Sequence, residues 1–139
     1  MSNKLNCIML IDDDEDDNFF HKKEIMENGL AKNVIVKNSG RKALEYIKAK
    51  TDPLSDLIFL DINMPGMTGW EFLDEYDKLE KEQQSKVIII MLSTSSNPKD
   101  KERARTWNFV SDYITKPLTK EALELVIEKY FADYPDSVN

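Results

Sequence analysis

Four short, unbroken apolar runs constrain this chain more than any other feature: Cys7–Ile11, Val34–Val36, Leu57–Leu60 and Val87–Leu92. A strand with one wet face alternates apolar and polar residues. Runs without alternation mark strands covered on both faces, as in a parallel sheet sandwiched by helices. A weaker run, Tyr113-Ile114, is a candidate fifth strand. Segments of helical period lie between and after the runs. The first carries Phe19, Met26 and Leu30 on one stripe and has Gly29 as a stop signal. The second opens at Ser39 and carries Leu44 and Ile47. The third has Thr68 and Glu71 spaced as a capping box ahead of Phe72, Leu73, Tyr76 and Leu79. The fourth starts at Asn97-Pro98 and has a thin apolar stripe of Ala104 and Trp107. The last follows Thr119 and repeats Leu123, Val126, Ile127 and Tyr130. Strand and helix alternate five times, which predicts a doubly wound α/β fold: a five-stranded parallel sheet flanked by five helices.

A length of 139 residues fits one domain over 1–139, with its core over 5–131 and a short polar tail at 132–139. Acidic residues outnumber basic ones by 26 to 19, for a net charge of −7. That balance repels phosphate backbones and argues against nucleic-acid binding. The single cysteine, Cys7, lies in an apolar run where a reduced thiol is ordinary. No stretch is long enough for a signal peptide or membrane insertion, so a cytoplasmic location is the expectation.

In open α/β sheets the functional site lies beyond the carboxyl ends of the strands. Here strand one runs into Asp12-Asp13-Asp14, strand three into Asp61-Ile62-Asn63-Met64-Pro65-Gly66, strand four into Ser93-Thr94, and strand five into Lys116-Pro117. If strands one and three are neighbours, Asp12, Asp13 and Asp61 converge, and carboxylates that close either hold a proton or bind a cation. Hard oxygen donors without His or Cys favour Mg²⁺. On that reading Asp12 and Asp13 hold the metal, Asp61 is both ligand and nucleophile, and the Asn63 backbone carbonyl is a further ligand. An aspartate can attack a phosphoryl group to give an acyl phosphate. Lys116 and the metal would neutralise charge on the transferring oxygens, and Ser93 would donate a hydrogen bond to them.

The pattern of an apolar strand plus Asp12-Asp13, an apolar strand plus Asp61-x-Asn-Met-Pro-Gly-Met-Thr-Gly69, then Ser93, then Tyr113-x-x-Lys116-Pro117, resembles the receiver domains of two-component signalling. The resemblance runs from Leu5 to Phe131. It implies the flavodoxin-like strand order 2-1-3-4-5 and a phosphoryl donor that is a sensor histidine kinase or a histidine phosphotransfer protein. It also implies that Ser93 and Tyr113 form a switch pair and that Asn63 and Ser95 tune hydrolysis of the acyl phosphate. The Lys116–Pro117 peptide bond is implied to be cis. The signal would leave through the face of helix four, strand five and helix five: Ser93 draws in the loop after strand four, and Tyr113 turns inward. No output segment follows, so a stand-alone, chemotaxis-regulator-like receiver is the expectation, catalysing only its own phosphorylation and dephosphorylation. The departures are Ser93 where threonine is commoner, Phe109-Val110 where a small pair is usual, and an acidic run unbroken from Asp12 to Asp17.

Competing readings are weaker. A degenerate receiver, binding partners without phosphorylation, would not need the complete acid, hydroxyl and lysine set. An EF-hand loop fails because Asp17 stands where Gly is required and Lys23 where the bidentate Glu belongs. An aspartyl phosphatase would need an acid where Asn63 stands, and a flavin site would not place an acidic run beside a phosphate. Asp14 to Asp17 are expected to favour the dipole at the start of helix one. His21 is expected to be a solvated side chain of that helix, Trp70 and Trp107 packing residues, and Lys78–Lys86 a solvated helix end.

Overall fold

The computed structural model describes residues 4–79 and 87–132. Its strands are β1 (Leu5–Ile11), β2 (Ala31–Lys37), β3 (Leu57–Asp61), β4 (Ile88–Ser93) and β5 (Val110–Thr115). They form one parallel sheet in the order β2-β1-β3-β4-β5. Among the described residues the helices are α1 (Glu15–Glu27), α2 (Gly40–Lys48), α3 (Gly69–Asp77), α4 (Pro98–Ala104) and α5 (Lys120–Tyr130). This is the doubly wound arrangement that the apolar runs predict. Most of the expected charged stretch Lys78–Lys86 and nearly all of the C-terminal tail lie outside the described residues.

The central strands are buried throughout because each face meets a helical layer. Alternate residues serve the two layers. Ile8, Leu10, Leu57, Phe59, Ile90 and Leu92 pack with Ile25 of α1 and with Leu123, Val126 and Ile127 of α5. Met9, Ile11, Ile58, Leu60, Ile89 and Met91 pack with Leu44 of α2 and with Trp70, Phe72, Leu73 and Tyr76 of α3. Phe109 fills space beside Tyr76, with ring centroids 5.2 Å apart, where a small residue would have left a gap.

Every helix begins on a side-chain cap just after a strand or its loop. Asp14 accepts from the amides of Asp16 and Asp17, Ser39 from Lys42, Asn97 from Lys99 and Thr119 from Ala122. Thr68 and Glu71 make the reciprocal capping box. α1 ends in a Schellman turn: Gly29, at φ +62°, donates to Met26 O and Leu30 donates to Ile25 O.

Two expectations for the helices need correction. The buried face of α1 is Asn18, His21 and Ile25, whereas Phe19 is 72% exposed and Met26 also faces water. Apolar spacing misled because polar side chains of α1 are drawn toward polar groups at the end of the sheet. Trp107 lies past the end of α4, and its ring stacks on Trp70 at 5.6 Å, with the Arg103 guanidinium over the Trp70 ring. Ala104 is the only buried residue of α4.

The loop leaving β3 returns very close to its own strand. Gly69 donates to Ile62 O at 2.8 Å, and a Cβ at Gly69 would stand 2.5 Å from Asp61 O and 2.9 Å from Ile62 Cα. Both are backbone atoms that cannot step aside cheaply. Gly69→Ala is therefore expected to destabilise the fold by about 2–4 kcal/mol in urea unfolding, through overpacking against backbone. A loss within about 0.5 kcal/mol of zero would show that the β3–α3 loop yields freely.

Candidate functional site

Register brings the acidic residues together. The last paired residues of β1 and β3 are Ile11 and Leu60, so Asp12 and Asp61 lie one step further on, level with each other at the carboxyl ends of two central strands. Asp13 follows on the exposed side. Carboxylate oxygens of Asp12, Asp13 and Asp61 lie within 4.8 Å of one another. Such a group can hold a metal ion.

Lys116, just beyond β5, reaches across to them. Its Nζ lies 2.8 Å from Asp12 Oδ2, 2.8 Å from Asp17 Oδ2 and 3.1 Å from Asp61 Oδ1. Burial disfavours the charged ammonium, but hydrogen bonds to Asp12 and Asp17 and the charge of Asp61 outweigh it, and its pKa is raised. Asp61 moves the other way for a carboxylate. Burial first, then the charge of Asp12, push it up to about 6 against the pull of Lys116. Asp12 already uses both oxygens, Oδ1 accepting from the Asp14 amide and Oδ2 from Lys116. The exposed Asp13 carboxylate is more accessible to an incoming ion.

The loops after β4 and β5 are tied together. Ser93 is buried, and its Oγ accepts from the Ser95 amide. Its carbonyl accepts from the Lys116 amide at 2.7 Å. Tyr113 is half-buried and its hydroxyl donates to Ser95 O at 2.7 Å, so the ring is already turned toward the loop after β4 in this structure. Asn63 stands exposed in the loop after β3. The Lys116–Pro117 peptide bond is cis. The structure thus gathers Asp12, Asp13, Asp61 and Lys116 into one cluster, with Ser93 joined to Lys116 through the backbone.

Sequence reasoning missed three contributors, all from α1. Asp17 is a second carboxylate on the Lys116 ammonium. Asn18 donates from Nδ2 to Asp12 O at 2.7 Å. His21, expected to be solvated, is 2% exposed and its Nε2 accepts from the Leu118 amide at 3.2 Å. The available signal was the polar stripe Asp17, Asn18 and His21 at helical spacing, hidden by the more conspicuous Phe19 and Met26.

The sequence profile of the response regulator receiver domain matches residues 8–128, and the chain belongs to that family. It is 30% identical over 118 residues to the sensor histidine kinase GacS of Pseudomonas protegens, a match covering 85% of this chain and 12% of that one. It is 29% identical over 122 residues to the sensor histidine kinase CheAY of Helicobacter pylori, covering 88% of this chain and 14% of that one. This chain therefore spans only a small part of the length of these curated relatives. Among solved structures, a two component response regulator from Cytophaga hutchinsonii superposes with a TM-score of 0.85 at 30% identity, covering 94% of this chain and 99% of that one. The protein is thus a receiver domain of two-component signalling, a class of signalling switches and not of metabolic enzymes. No helix among the described residues is long and apolar enough to cross a membrane.

The raised Asp61 has a consequence for stability. A carboxyl whose folded pKa lies above its unfolded value binds more protons folded than unfolded, so it costs stability at neutral pH, and the cost vanishes as pH falls through roughly 6 toward 4. Metal-free Asp61→Asn is expected to be more stable than wild type by about 1–3 kcal/mol at a pH of about 8. The difference should close as pH drops through that window in urea unfolding with a chelator present. A gap that stays constant, or widens on acidification, would contradict the buried and crowded environment assigned to Asp61.

Proposed function

We propose that this receiver accepts a phosphoryl group on Asp61 with Mg²⁺ as cofactor, and that the modification changes what its α4–β5–α5 face binds. One observation carries the reading: Lys116 Nζ lies 3.1 Å from Asp61 Oδ1 in a cluster whose three carboxylates come within 4.8 Å of one another. Asp61 sits where burial favours loss of its negative charge, and conversion to an acyl phosphate moves that charge outward to oxygens that cations can reach. The donor class is a phosphohistidine on a sensor kinase or phosphotransfer protein. An Asp61 carboxylate oxygen forms the new P–O bond while the donor P–N bond breaks, its electron pair returning to the imidazole nitrogen.

The donor set fits Mg²⁺, since the carboxylates of Asp12, Asp13 and Asp61 are hard oxygens, and the Asn63 backbone carbonyl would add another. Mg²⁺ would neutralise charge on the transferring phosphoryl oxygens. Lys116 supplies the second positive charge, and the Ser93 hydroxyl supplies a hydrogen bond to a phosphoryl oxygen. The Ser93 Oγ stays an acceptor for the Ser95 amide while its O–H donates, so the turn after β4 is drawn along as the hydroxyl moves toward the phosphoryl group. That turn also holds the Tyr113 hydroxyl, so a change at Ser93 is passed to the α4–β5–α5 face. α4 is short and has Ala104 as its only buried residue, so it can move at small cost. Hydrolysis returns the switch: water oxygen attacks phosphorus, the acyl P–O bond breaks to release the Asp61 carboxylate, and the proton leaves with phosphate. Asn63 and Ser95 stand at the positions that the family resemblance implies tune this step, and they would set its rate.

Intact-mass measurement after treatment with phosphoramidate is expected to show one added phosphoryl group that needs Mg²⁺ and is absent in Asp61→Asn. Equal labelling of that variant would remove Asp61 as the acceptor. Asp13→Ala is expected to weaken Mg²⁺ binding by about tenfold or more in calorimetry, the scale of one lost carboxylate ligand. An unchanged dissociation constant would place the ion elsewhere. Ser93→Ala should still be labelled but lose most of the phosphorylation-dependent amide shifts across residues 97–117. The full wild-type shift pattern in that variant would route the signal by another path.

A further inference from the structure

The proposed chemistry uses the strand ends, yet it leaves unexplained why α1 turns two polar side chains inward while leaving Phe19 and Met26 in water. Asp17 and His21 are four residues apart, which places them on one face of the helix, one turn above the other. Their partners are the two ends of a single short turn. Asp17 Oδ2 holds Lys116 Nζ at 2.8 Å, and His21 Nε2 accepts the Leu118 amide at 3.2 Å. Between those points lies the Lys116–Pro117 bond, and Pro117 has no amide with which to anchor itself. On the near side, the Lys116 amide donates to Ser93 O at 2.7 Å. On the far side of Pro117, the Leu118 amide is buried and depends on an imidazole for its partner.

We infer that Asp17 and His21 are positioning residues for the reaction at Asp61, forming a two-point clamp by which α1 sets where the Lys116 ammonium sits. The inference rests on Asp61 being the phosphoryl acceptor. His21 fixes the backbone from which the lysine side chain departs, and Asp17 fixes its far end. Accepting through Nε2 requires the neutral imidazole with its proton on Nδ1, and burial holds His21 in that form. Asp17 does more than neutralise. Lys116 Nζ lies 2.8 Å from both Asp12 and Asp17 but 3.1 Å from Asp61, so the ammonium stands slightly off the acceptor, on the side toward α1. An ammonium shared among three carboxylates stays anchored by Asp17 while it turns from Asp61 to an incoming phosphoryl oxygen. Asn18, between the two, steadies the same corner by donating to Asp12 O.

The test compares wild type with His21→Leu, His21→Gln and Asp17→Ala, each with Lys116 intact and with Lys116→Met. The readouts are the labelling rate by phosphoramidate at saturating Mg²⁺, the Mg²⁺ dissociation constant, and hydrogen exchange at the Leu118 amide. His21→Leu removes the acceptor, and labelling is expected to slow by roughly ten- to a hundredfold, the scale of a misplaced charge. Its Mg²⁺ dissociation constant should stay at the wild-type value, because no proposed ligand is touched. His21→Gln offers a carbonyl oxygen near the position of Nε2 and should recover most of the rate and of the Leu118 protection, which a general packing defect would not allow. Asp17→Ala should slow labelling as well. In the Lys116→Met background neither substitution should lower the rate further, since the clamp has nothing left to position.

Wild-type labelling in His21→Leu, or an equal further loss in the Lys116→Met background, would overturn the inference. If wild type takes no phosphoryl group at all, the acceptor reading itself fails. Leu118 exchange then still decides the clamp, because an amide as protected in His21→Leu as in wild type would show that the histidine holds nothing.

Discussion

One ammonium among several carboxylates governs this molecule's upper surface. Lys116 Nζ touches Asp12, Asp17 and Asp61, and Asp13 lies close by, so negative charge exceeds positive in a site that is largely withdrawn from water. Such an arrangement is out of balance by construction. Removing the lysine would leave buried like charges facing each other, and adding a divalent cation would relieve them. Burial first, and then the charge of Asp12, push the Asp61 carboxyl up to about 6. The same shortage of positive charge that costs folding energy makes the site receptive to a cation and to a reaction that moves charge outward.

The sheet makes this crowding possible and limits it. Strands in the middle of a parallel sheet end at the same level, so residues one step past Ile11 and Leu60 are neighbours whatever their charge. Apolar layers on both faces supply the free energy that holds like charges together. The close return of the chain at Gly69 folds the loop after β3 back onto the Asp61 carbonyl, fixing the backbone of that residue. The switch elements, by contrast, are lightly held. α4 is short with one buried residue, and the loop after β4 rests on single hydrogen bonds at Ser93, Ser95 and Tyr113. A rigid strand end and a yielding periphery suit a signalling switch, whose surface must move while its core stays in place.

Helix one has an unusual share in this division. Its first turn carries the acidic residues Glu15, Asp16 and Asp17, favourable to the dipole, and its cap Asp14 closes two amides. Asp17, Asn18 and His21 then reach the ammonium, the end of β1 and the turn after Pro117. The outward residues Phe19, Phe20 and Met26 stay exposed as a consequence. The unbroken acidic run, a departure from the family pattern, thus supplies a site residue at its far end.

The sequence alone determined the architecture and which acidic, hydroxyl and lysine side chains stand at the strand ends. Unbroken apolar runs admit strands buried on both faces, and caps such as Thr68 with Glu71 and Asn97 with Pro98 act through covalent neighbours, so they can be read in one dimension. Asp12, Asp13, Asp61, Ser93 and Lys116 were legible because each ends or closely follows a strand, and strand ends converge in this class of sheet. Tertiary structure decided what depends on contacts between residues far apart in the chain. The burial of His21 against Leu118 spans 97 positions and the grip of Asp17 on Lys116 spans 99, and the polar stripe within α1 names neither partner. Trp107 left its expected helix to stack on Trp70 for the same reason. Local propensity selects elements, whereas the facing of a polar side chain is settled by which distant group needs a partner once water is excluded.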